Sequence, residues 1–261
     1  MPRYHTDRSP LLRSAYFTVG GLRLHARVTH ASPSAAPAVV LVHGFGVSSA
    51  YLVPLAERLA DDFRVIAPDL PGHGKSDTPR RVLDVDGLAD ALLNFLNAAA
   101  LERPIVVGHS LGSQVALALA ARHPERVDRL VLVGPTVDRD HRTLHAQALR
   151  LLASLPRERP SILPLVLADF ARMHVRLVSE ATRALADRPE ERALLVRAPS
   201  IVVRGSRDPM APRRWARLLV ERLGARGFFE VPGAGHALNF SAPDALLAVV
   251  RPFLTETFVA R

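Results

Sequence analysis

Hydrophobic residues in the first part of the chain follow the pattern of paired β-strands. Two β-rich runs, 14–19 and 22–28, flank Gly20 and Gly21, and such a glycine pair is typical of a tight hairpin turn. Residues 38–42 form a continuous apolar run, which indicates a strand buried on both faces. The chain is therefore predicted to open with an antiparallel hairpin and to continue into a buried strand.

Beyond residue 50, helical patterns alternate with apolar strands. The predicted helices are 51–60, 85–101 and 110–122, and the predicted strands are 63–67, 104–108 and 127–133. Strands separated by helices at this spacing favour an α/β protein with a doubly wound, mostly parallel sheet. The ligand sites of such a sheet lie beyond the carboxyl ends of its strands.

This alternation stops between residues 138 and 197. Apolar residues there recur at helical spacing, broken by prolines, without any strand-like run, so we expect a small helical insertion. A strand at 200–204, a helix at 213–223, a strand at 227–231 and a helix at 242–257 bring the predicted sheet to eight strands. We expect residues 1–137 and 198–261 to form one core domain, with 138–197 inserted as a helical cap.

Composition limits the chemistry. A chain of 261 residues, 48% of them hydrophobic, can bury one large core. It has no cysteine, which excludes disulfides, thiolate metal sites and cysteine nucleophiles, and we expect neither a metal nor a cofactor. No signal-peptide-like run is found, and no uncharged stretch approaches the roughly 20 residues of a membrane span. We therefore expect a cytoplasmic protein without a membrane span, either a monomer or a homodimer.

The net charge of +9 raises the question of an acidic partner. Nucleic-acid binding needs clustered cations, whereas the arginines here fall singly or in pairs beside apolar residues or acids, so no nucleic acid is expected. An acidic carrier protein or an anionic membrane surface remains open as a partner, and so does a bias towards arginine without functional meaning.

A glycine-flanked serine joins a predicted strand to a predicted helix. In the run 108–112, Gly-His-Ser-Leu-Gly, both positions two residues from Ser110 are glycine, as a sharp turn with a strained nucleophile requires. This turn would expose the Ser110 hydroxyl and place the Leu111 N–H at a helix N-terminus, where it can meet an oxyanion. The alternative is an ordinary strand-to-helix turn in which Ser110 caps the helix.

Two later loops contain an acid and a base. Asp208 follows the strand at 200–204, and His236 follows the strand at 227–231, so both lie where a doubly wound sheet collects its site residues. The order Ser110, Asp208, His236 suits a serine nucleophile activated by an imidazole that an acid orients. Asp138, which follows the strand at 127–133, is a rival acid, and its alternative role is a helix start.

The loop after the strand at 38–42 reads His-Gly-Phe-Gly. Its glycines allow the Phe45 N–H to turn inward as a second oxyanion donor, while His43 is expected to bond backbone rather than to act as the base. The loop 69–77 is rich in proline and glycine. We expect Asp69 to fix its backbone, with His73 as a weak candidate for substrate contact.

Taken together, these segments resemble the α/β-hydrolase family. The resemblance rests on H-G-F-G, D-L-P-G-H-G-K-S-D, G-H-S-L-G, G-S-R-D-P and G-A-G-H, in this order between residues 38 and 240. It implies Ser110 as nucleophile, His236 as base, Asp208 as its acid, and the N–H groups of Phe45 and Leu111 as oxyanion hole. It also implies a helical cap over the site.

Departures from the patterns of individual subfamilies narrow the range of activities that the resemblance implies. Epoxide hydrolases and haloalkane dehalogenases carry Asp where Ser110 stands. C–C bond hydrolases usually have Asn and Trp where this chain has His109 and Ala237, and prolyl aminopeptidases and cofactor-free perhydrolases also fit poorly. A carboxylesterase acting on a small or medium acyl ester remains, with a thioester as an option. An acyltransferase or a ligand-binding member of the same fold stays open as an alternative.

The cap is expected to supply an apolar acyl pocket. Its candidate lining residues, beside Phe45 and Leu111, are His43, His109, Phe170, Met173, Leu177 and Ala237. The same stripe of apolar cap residues is also explained by packing of the cap onto the sheet.

Overall fold

An eight-stranded sheet forms the centre of the molecule. The computed structural model describes residues 9–30, 36–173 and 176–256. Its strand order is β1-β2-β4-β3-β5-β6-β7-β8, and strands β3 to β8 run parallel. The strands are β1 (Leu12–Val19), β2 (Leu22–Thr29), β3 (Ala38–Val42), β4 (Arg64–Pro68), β5 (Ile105–His109), β6 (Arg129–Val133), β7 (Ser200–Gly205) and β8 (Gly227–Val231). The predicted fold class is confirmed.

The amino-terminal hairpin closes through a two-residue turn. Val19 pairs with Leu22, and Gly20 and Gly21 between them have φ angles of 55° and 80°. Two successive positive φ angles are the geometry that lets a two-residue turn follow the twist of its strands, and glycine adopts them without steric cost. Strand β2 then pairs antiparallel with β4, which joins the hairpin to the parallel sheet.

Helices cover both faces of the sheet. The helices are α1 (Val53–Leu59), α2 (Val85–Ala98), α3 (Leu111–Arg122), α4 (Leu144–Ser154), α5 (Leu163–Met173), α6 (Leu177–Ala186), α7 (Pro189–Arg192), α8 (Arg213–Leu223), α9 (Leu238–Ser241) and α10 (Pro243–Thr255). Of the chain that the structure describes, no helix combines the length and the apolar character needed to cross a bilayer.

Alternating side chains of each parallel strand enter two separate cores. In β3, Val40 and Val42 pack under α2, α3 and α8, whereas Val39 and Leu41 pack under α1 and α10. Because successive side chains of a strand point to opposite faces, a strand covered on both sides must be apolar throughout. The continuous apolar runs in the sequence have this origin.

Several element ends differ from the predicted ones. The helix expected at 51–60 begins as a 3-10 turn, Ser49–Leu52, before α1, and the helix expected at 85–101 ends three residues early. Ala100 has a φ angle of 51°, so the chain leaves the helix there through a left-handed residue that is not glycine. Helix α9 was not predicted. Between residues 138 and 197 the described structure contains α4 to α7 with short 3-10 turns and no strand, as expected.

Candidate functional site

Ser110 occupies a strained turn between β5 and α3. Its φ and ψ angles are 55° and −118°, a conformation that a residue with a side chain rarely adopts. A Cβ atom on Gly108 would collide with the carbonyl oxygen of Gly112, and a Cβ on Gly112 would collide with that of Val42. The two glycines therefore allow strand β3, strand β5 and helix α3 to meet around this turn.

Hydrogen bonds hold the turn in place. The Ser110 N–H donates to the Val133 carbonyl at 3.0 Å, and the Ser113 hydroxyl donates to the Gly108 carbonyl at 2.7 Å. The Ser110 hydroxyl lies 3.4 Å from the Thr136 hydroxyl and faces the pocket described below. The turn at Ser110 is thus held by one hydrogen bond to β6 and one to β5.

Asp208 and His236 are brought together from the ends of β7 and β8. Asp208 Oδ2 lies 2.9 Å from His236 Nδ1, and both residues are buried. The other carboxylate oxygen, Oδ1, accepts hydrogen bonds from the N–H groups of Met210 at 2.7 Å and Ala211 at 3.2 Å. These two donors fix the carboxylate, so that only Oδ2 faces the imidazole.

A buried arginine supports the loop that carries this acid. Arg204 Nε donates to the Ala211 carbonyl at 2.6 Å, and its Nη2 donates to the Asp208 carbonyl at 2.8 Å. Its Nη1 pairs with Glu230 on β8. Arg204 therefore ties the Asp208 loop to the strand that leads to His236.

The electrostatics of this pair favour a basic imidazole and an ionised carboxylate. Burial alone would lower the pKa of His236, but the charge and hydrogen bond of Asp208 raise that pKa above its ordinary value of 6.5. Burial would raise the pKa of Asp208, but the attraction of His236 and the two backbone N–H groups holds that pKa below its ordinary value. Asp208 thus stays negative while His236 takes up or releases a proton.

His109, at the end of β5, contacts the loop that carries His236. Its Nε2 donates to the His236 carbonyl at 2.9 Å, and the two rings lie 4.8 Å apart between centroids. Burial and the nearby His236 lower the pKa of His109 to about 3, so this ring is neutral. His109 lines the pocket and also positions the backbone of His236.

The predicted oxyanion residues lie on either side of Ser110. Leu111 is the first residue of α3, so its N–H has no acceptor within the helix. Phe45 comes from the loop after β3, and both residues line the same pocket as Ser110. The loop passes so close that a Cβ on Gly44 would lie 3.1 Å from the Ser110 Cβ.

His43 does not reach the pocket. Its Nδ1 donates to the Gly44 carbonyl at 2.8 Å, and its Nε2 accepts from the Leu70 N–H at 3.0 Å. Burial and the neighbouring His73 lower the pKa of His43 to about 3. Both nitrogens of this neutral ring are hydrogen-bonded, so His43 joins the loop after β3 to the loop after β4. It is not among the residues that line the pocket.

The loop after β4 is organised by Asp69. Its carboxylate accepts from the N–H groups of Ser49 at 2.6 Å and Lys75 at 2.9 Å, and it pairs with His25 at 2.8 Å. Asp69 therefore fixes the loop backbone. His73 lies 3.0 Å from Glu180 on α6 and contacts the helical segment 138–197 rather than the pocket.

The rival acid Asp138 has other partners. Its Oδ2 lies 3.2 Å from Arg150 and 3.3 Å from Arg214, and its Oδ1 accepts from the Asp140 N–H. The carboxylate that contacts His236 is that of Asp208.

The pocket above Ser110 has a volume of about 400 Å³ and an almost entirely apolar wall. The pocket candidates Phe170, Leu177 and Ala237 are among the residues that line it, and the Phe170 and Phe45 rings meet edge to face at 6.1 Å between centroids. The side chain of Met173 lies outside the described residues. The remaining wall residues from the helical segment 138–197 are Leu144, Gln147, Ala148, Leu151, Ser154, Leu155, Glu158, Ile162, Leu163, Val166, Val178, Ala181, Ala184 and Leu185.

This geometry agrees with comparisons to known proteins. Residues 37–175 match the family model described as the alpha/beta hydrolase fold. The chain belongs to the α/β-hydrolase family. A putative carbamate hydrolase of a Caulobacter strain is 30% identical to this α/β-hydrolase over 243 residues, which cover 83% of the chain and 90% of the relative. A crystal structure of a membrane phospholipase A has a TM-score of 0.80 at 22% identity, covering 94% of this chain and 86% of that one.

Other relatives match one part of this α/β-hydrolase. A pimeloyl-[acyl-carrier protein] methyl ester esterase of Chromobacterium violaceum is 44% identical over 115 residues, 43% of each chain. An uncharacterized protein of Mycobacterium tuberculosis is 42% identical over 117 residues, 45% of this chain, and the match spans only 33% of that protein's length. Two of the sequence relatives described here, the carbamate hydrolase and the methyl ester esterase, carry the names of hydrolases.

Six polar residues in the pocket wall of this α/β-hydrolase were not predicted from the sequence, namely Tyr51, Gln114, Thr136, Gln147, Ser154 and Glu158. Thr136 follows β6 at the carboxyl end of the sheet, a position that could have marked it as a site residue. Gln114 lies one turn into α3 and contacts the Thr136 hydroxyl at 3.3 Å. The sequence around Tyr51 and around Glu158 contains no pattern that marks either residue as part of a site. Glu158 accepts from the Ala237 N–H at 2.9 Å, a contact between segments 79 residues apart.

Proposed function

We propose that this α/β-hydrolase cleaves carboxylic esters with an apolar acyl group through a covalent acyl-enzyme. The observation that carries the proposal is the Asp208–His236 pair, held at 2.9 Å, whose His236 lines the same pocket as the strained Ser110. A serine on such a turn, an imidazole and a fixed carboxylate are the three parts of nucleophilic acyl transfer.

Asp208 sets the tautomer of the base. A carboxylate oxygen at Nδ1 can only accept, so the proton of a neutral His236 lies on Nδ1 and its Nε2 carries a lone pair. We infer that Nε2 removes the Ser110 proton as the hydroxyl attacks the ester carbonyl. The same imidazole then gives its proton to the leaving alcohol and activates the water that hydrolyses the acyl-enzyme.

The developing negative charge has two donors in this proposal. The Leu111 N–H lies at the N-terminus of α3, where the helix dipole favours an anion, and the Phe45 N–H approaches from the opposite loop. Such fixed donors act without reorganising solvent, and loss of one costs roughly 10²–10³-fold in rate.

The apolar wall supports an acyl chain as the group bound. We propose that residues 138–197 act as a cap that supplies this wall, since α4, α5 and α6 contribute most of it. The buried wall gives a hydrophobic acyl chain about 0.8 kcal/mol per methylene group. The carbamate hydrolase and acyl-carrier methyl ester esterase among the relatives suggest carbamates and carrier-linked esters as compounds to test.

The test is a panel of p-nitrophenyl esters from acetate to decanoate, thioesters and a carbamate, assayed with the wild type and Ser110→Ala. We expect fluorophosphonate labelling of wild type alone, a burst of p-nitrophenol, and a maximum at a medium acyl chain. Labelling without turnover would favour acyl transfer or ligand binding. Ester turnover by Ser110→Ala equal to that of the wild type would refute the proposal.

A further inference from the structure

Among the described residues of 144–178, eight large apolar side chains lie exposed at the surface. Their exposed fractions lie between 39% and 68%, although side chains of this size are usually buried. They come from α4, the turn after it, α5 and α6. This set, called the apolar rim, consists of Leu144, Leu149, Leu151, Leu152, Leu155, Leu163, Leu167 and Val178.

The rim is continuous with the pocket. Five of its members also line the pocket, namely Leu144, Leu151, Leu155, Leu163 and Val178. Leu167 lies one helical turn after Leu163, and Leu152 lies about one turn before Leu155. An apolar molecule that leaves the rim can therefore enter the pocket along apolar side chains.

Acidic groups of this segment point away from the rim. Residues 143–186 contain three acids and six arginines. Asp169 is 2% exposed and accepts from the Ser48 hydroxyl, and Glu180 is 6% exposed and pairs with His73. Glu158 is half-buried and accepts from the Ala237 N–H and the Ser241 hydroxyl. All three carboxylates form hydrogen bonds or ion pairs within the molecule.

Arginines, in contrast, face solvent beside the rim. Arg157 and Arg159 lie in the turn between Leu155 and Leu163 and are exposed. Arg172 on α5 keeps 60% of its side chain exposed while it pairs with Asp169. The outer surface of the segment therefore combines apolar side chains with positive charge.

This combination of apolar side chains and arginines disfavours a second copy of the chain as the partner of the rim. In a two-fold dimer the same patch serves both copies, so exposed arginines beside one rim would meet a patch that itself carries exposed arginines, while Glu158, Asp169 and Glu180 are already engaged inside the molecule. An anionic lipid surface offers both acyl chains for the rim and negative headgroups for the arginines. We propose that the apolar rim docks on an anionic phospholipid bilayer and lets the pocket take its substrate from that surface.

The test measures vesicle binding with Ser110→Ala, so that it does not depend on catalysis. We expect this variant to float with vesicles made of phosphatidylcholine and 30 mol% phosphatidylglycerol. It should float much less with vesicles made of phosphatidylcholine alone. Binding should weaken as salt is raised. With about 1 kcal/mol for each arginine near such a surface, adding Arg157→Gln and Arg159→Gln should weaken it roughly thirtyfold.

Two further variants separate the rim from general charge and folding. Leu149→Ser with Leu152→Ser removes exposed rim side chains and should also abolish flotation. Arg64→Gln with Arg103→Gln is the matched control, because these exposed arginines begin β4 and precede β5, at the amino ends of the parallel strands and opposite the carboxyl ends that carry the site. Unchanged melting temperatures show that each variant is folded.

The proposal is overturned if anionic vesicles are not bound, or if the control pair weakens binding as much as the rim variants do. Binding of an acidic acyl-carrier protein at the rim without vesicle binding overturns it in favour of a protein partner. Vesicle binding without ester turnover would leave this inference standing and remove the proposed function.

Discussion

Replacing Asp208 by Asn tests the proposed acid without changing its shape. The oxygen of the carboxamide can keep the hydrogen bonds from the Met210 and Ala211 N–H groups, which now go to Oδ1. Its NH₂ group then faces His236 Nδ1, which must accept. The histidine proton is thereby forced onto Nε2, the nitrogen that should take the proton of Ser110.

The size of the effect follows from the cost of turning the amide around. In the flipped orientation both backbone N–H groups would face an NH₂ group, at roughly 1–3 kcal/mol each. The two together favour the wrong tautomer by about 2–6 kcal/mol, which leaves roughly one molecule in 30 to one in 10⁴ with the productive tautomer. We expect kcat/KM of Asp208→Asn to fall by a comparable factor.

The pH profile gives a second readout of the same change. Asp208 raises the pKa of His236, and the base works only when neutral, so the acidic limb of wild-type kcat/KM should lie above pH 6.5. Without the negative charge the pKa of His236 falls, and the limb of Asp208→Asn should move to lower pH. Both are measured with a short p-nitrophenyl ester between pH 5 and 9.

Asp138→Asn is the matched control. Its carboxylate pairs with Arg150 and Arg214. The substitution should therefore lower the melting temperature and leave kcat/KM largely unchanged. The reasoning would be refuted if Asp208→Asn kept more than about a tenth of wild-type kcat/KM while folded, or if Asp138→Asn lost as much activity as Asp208→Asn.

Three further substitutions, the first with a matched control away from the site, test the packing around the site. Gly112→Ala places a methyl group against a strand carbonyl and should destabilise the fold by about 3 kcal/mol or more in urea unfolding. Gly224→Ala, which has a positive φ angle but open space, should cost only about 1–2 kcal/mol, and equal losses would contradict the steric argument. Arg204→Met leaves an acidic partner and two carbonyls without their donor, so calorimetry should show a loss of about 3–5 kcal/mol; an unchanged melting temperature would contradict its supporting role. Phe170→Ala widens the pocket and should raise kcat/KM for longer acyl esters, by up to roughly fourfold per added methylene group, whereas an unchanged chain-length profile would place the acyl chain elsewhere.

The sequence was sufficient for the sheet and for the loops of the site because both depend on local patterns. Strand β3 is apolar throughout since it is covered on both faces, and this pattern is visible without a structure. Ser110, Asp208 and His236 could be named as candidates because each follows a recognisable strand. The end of α2 was missed because its left-handed position is filled by Ala100 rather than glycine.

Contacts between distant segments could not be predicted in this way. Glu158 meets the His236 loop only because α4 and α5 fold back over the sheet, and helical periodicity does not determine that arrangement. His43 was counted among the pocket candidates because its loop borders the site. Its direction depends on the Leu70 N–H, which comes from another loop.

The crowding around Ser110 divides the molecule into parts with different tolerance to mutation. Gly44, Gly108 and Gly112 leave no room for an ordinary side chain without displacing neighbouring atoms, so random libraries at these positions should yield few folded variants. Sixteen of the 29 described residues around the pocket belong to 138–197, and many of their side chains border open space. Directed evolution of new substrate preferences is therefore best confined to these sixteen positions, with the backbone beneath them left unchanged.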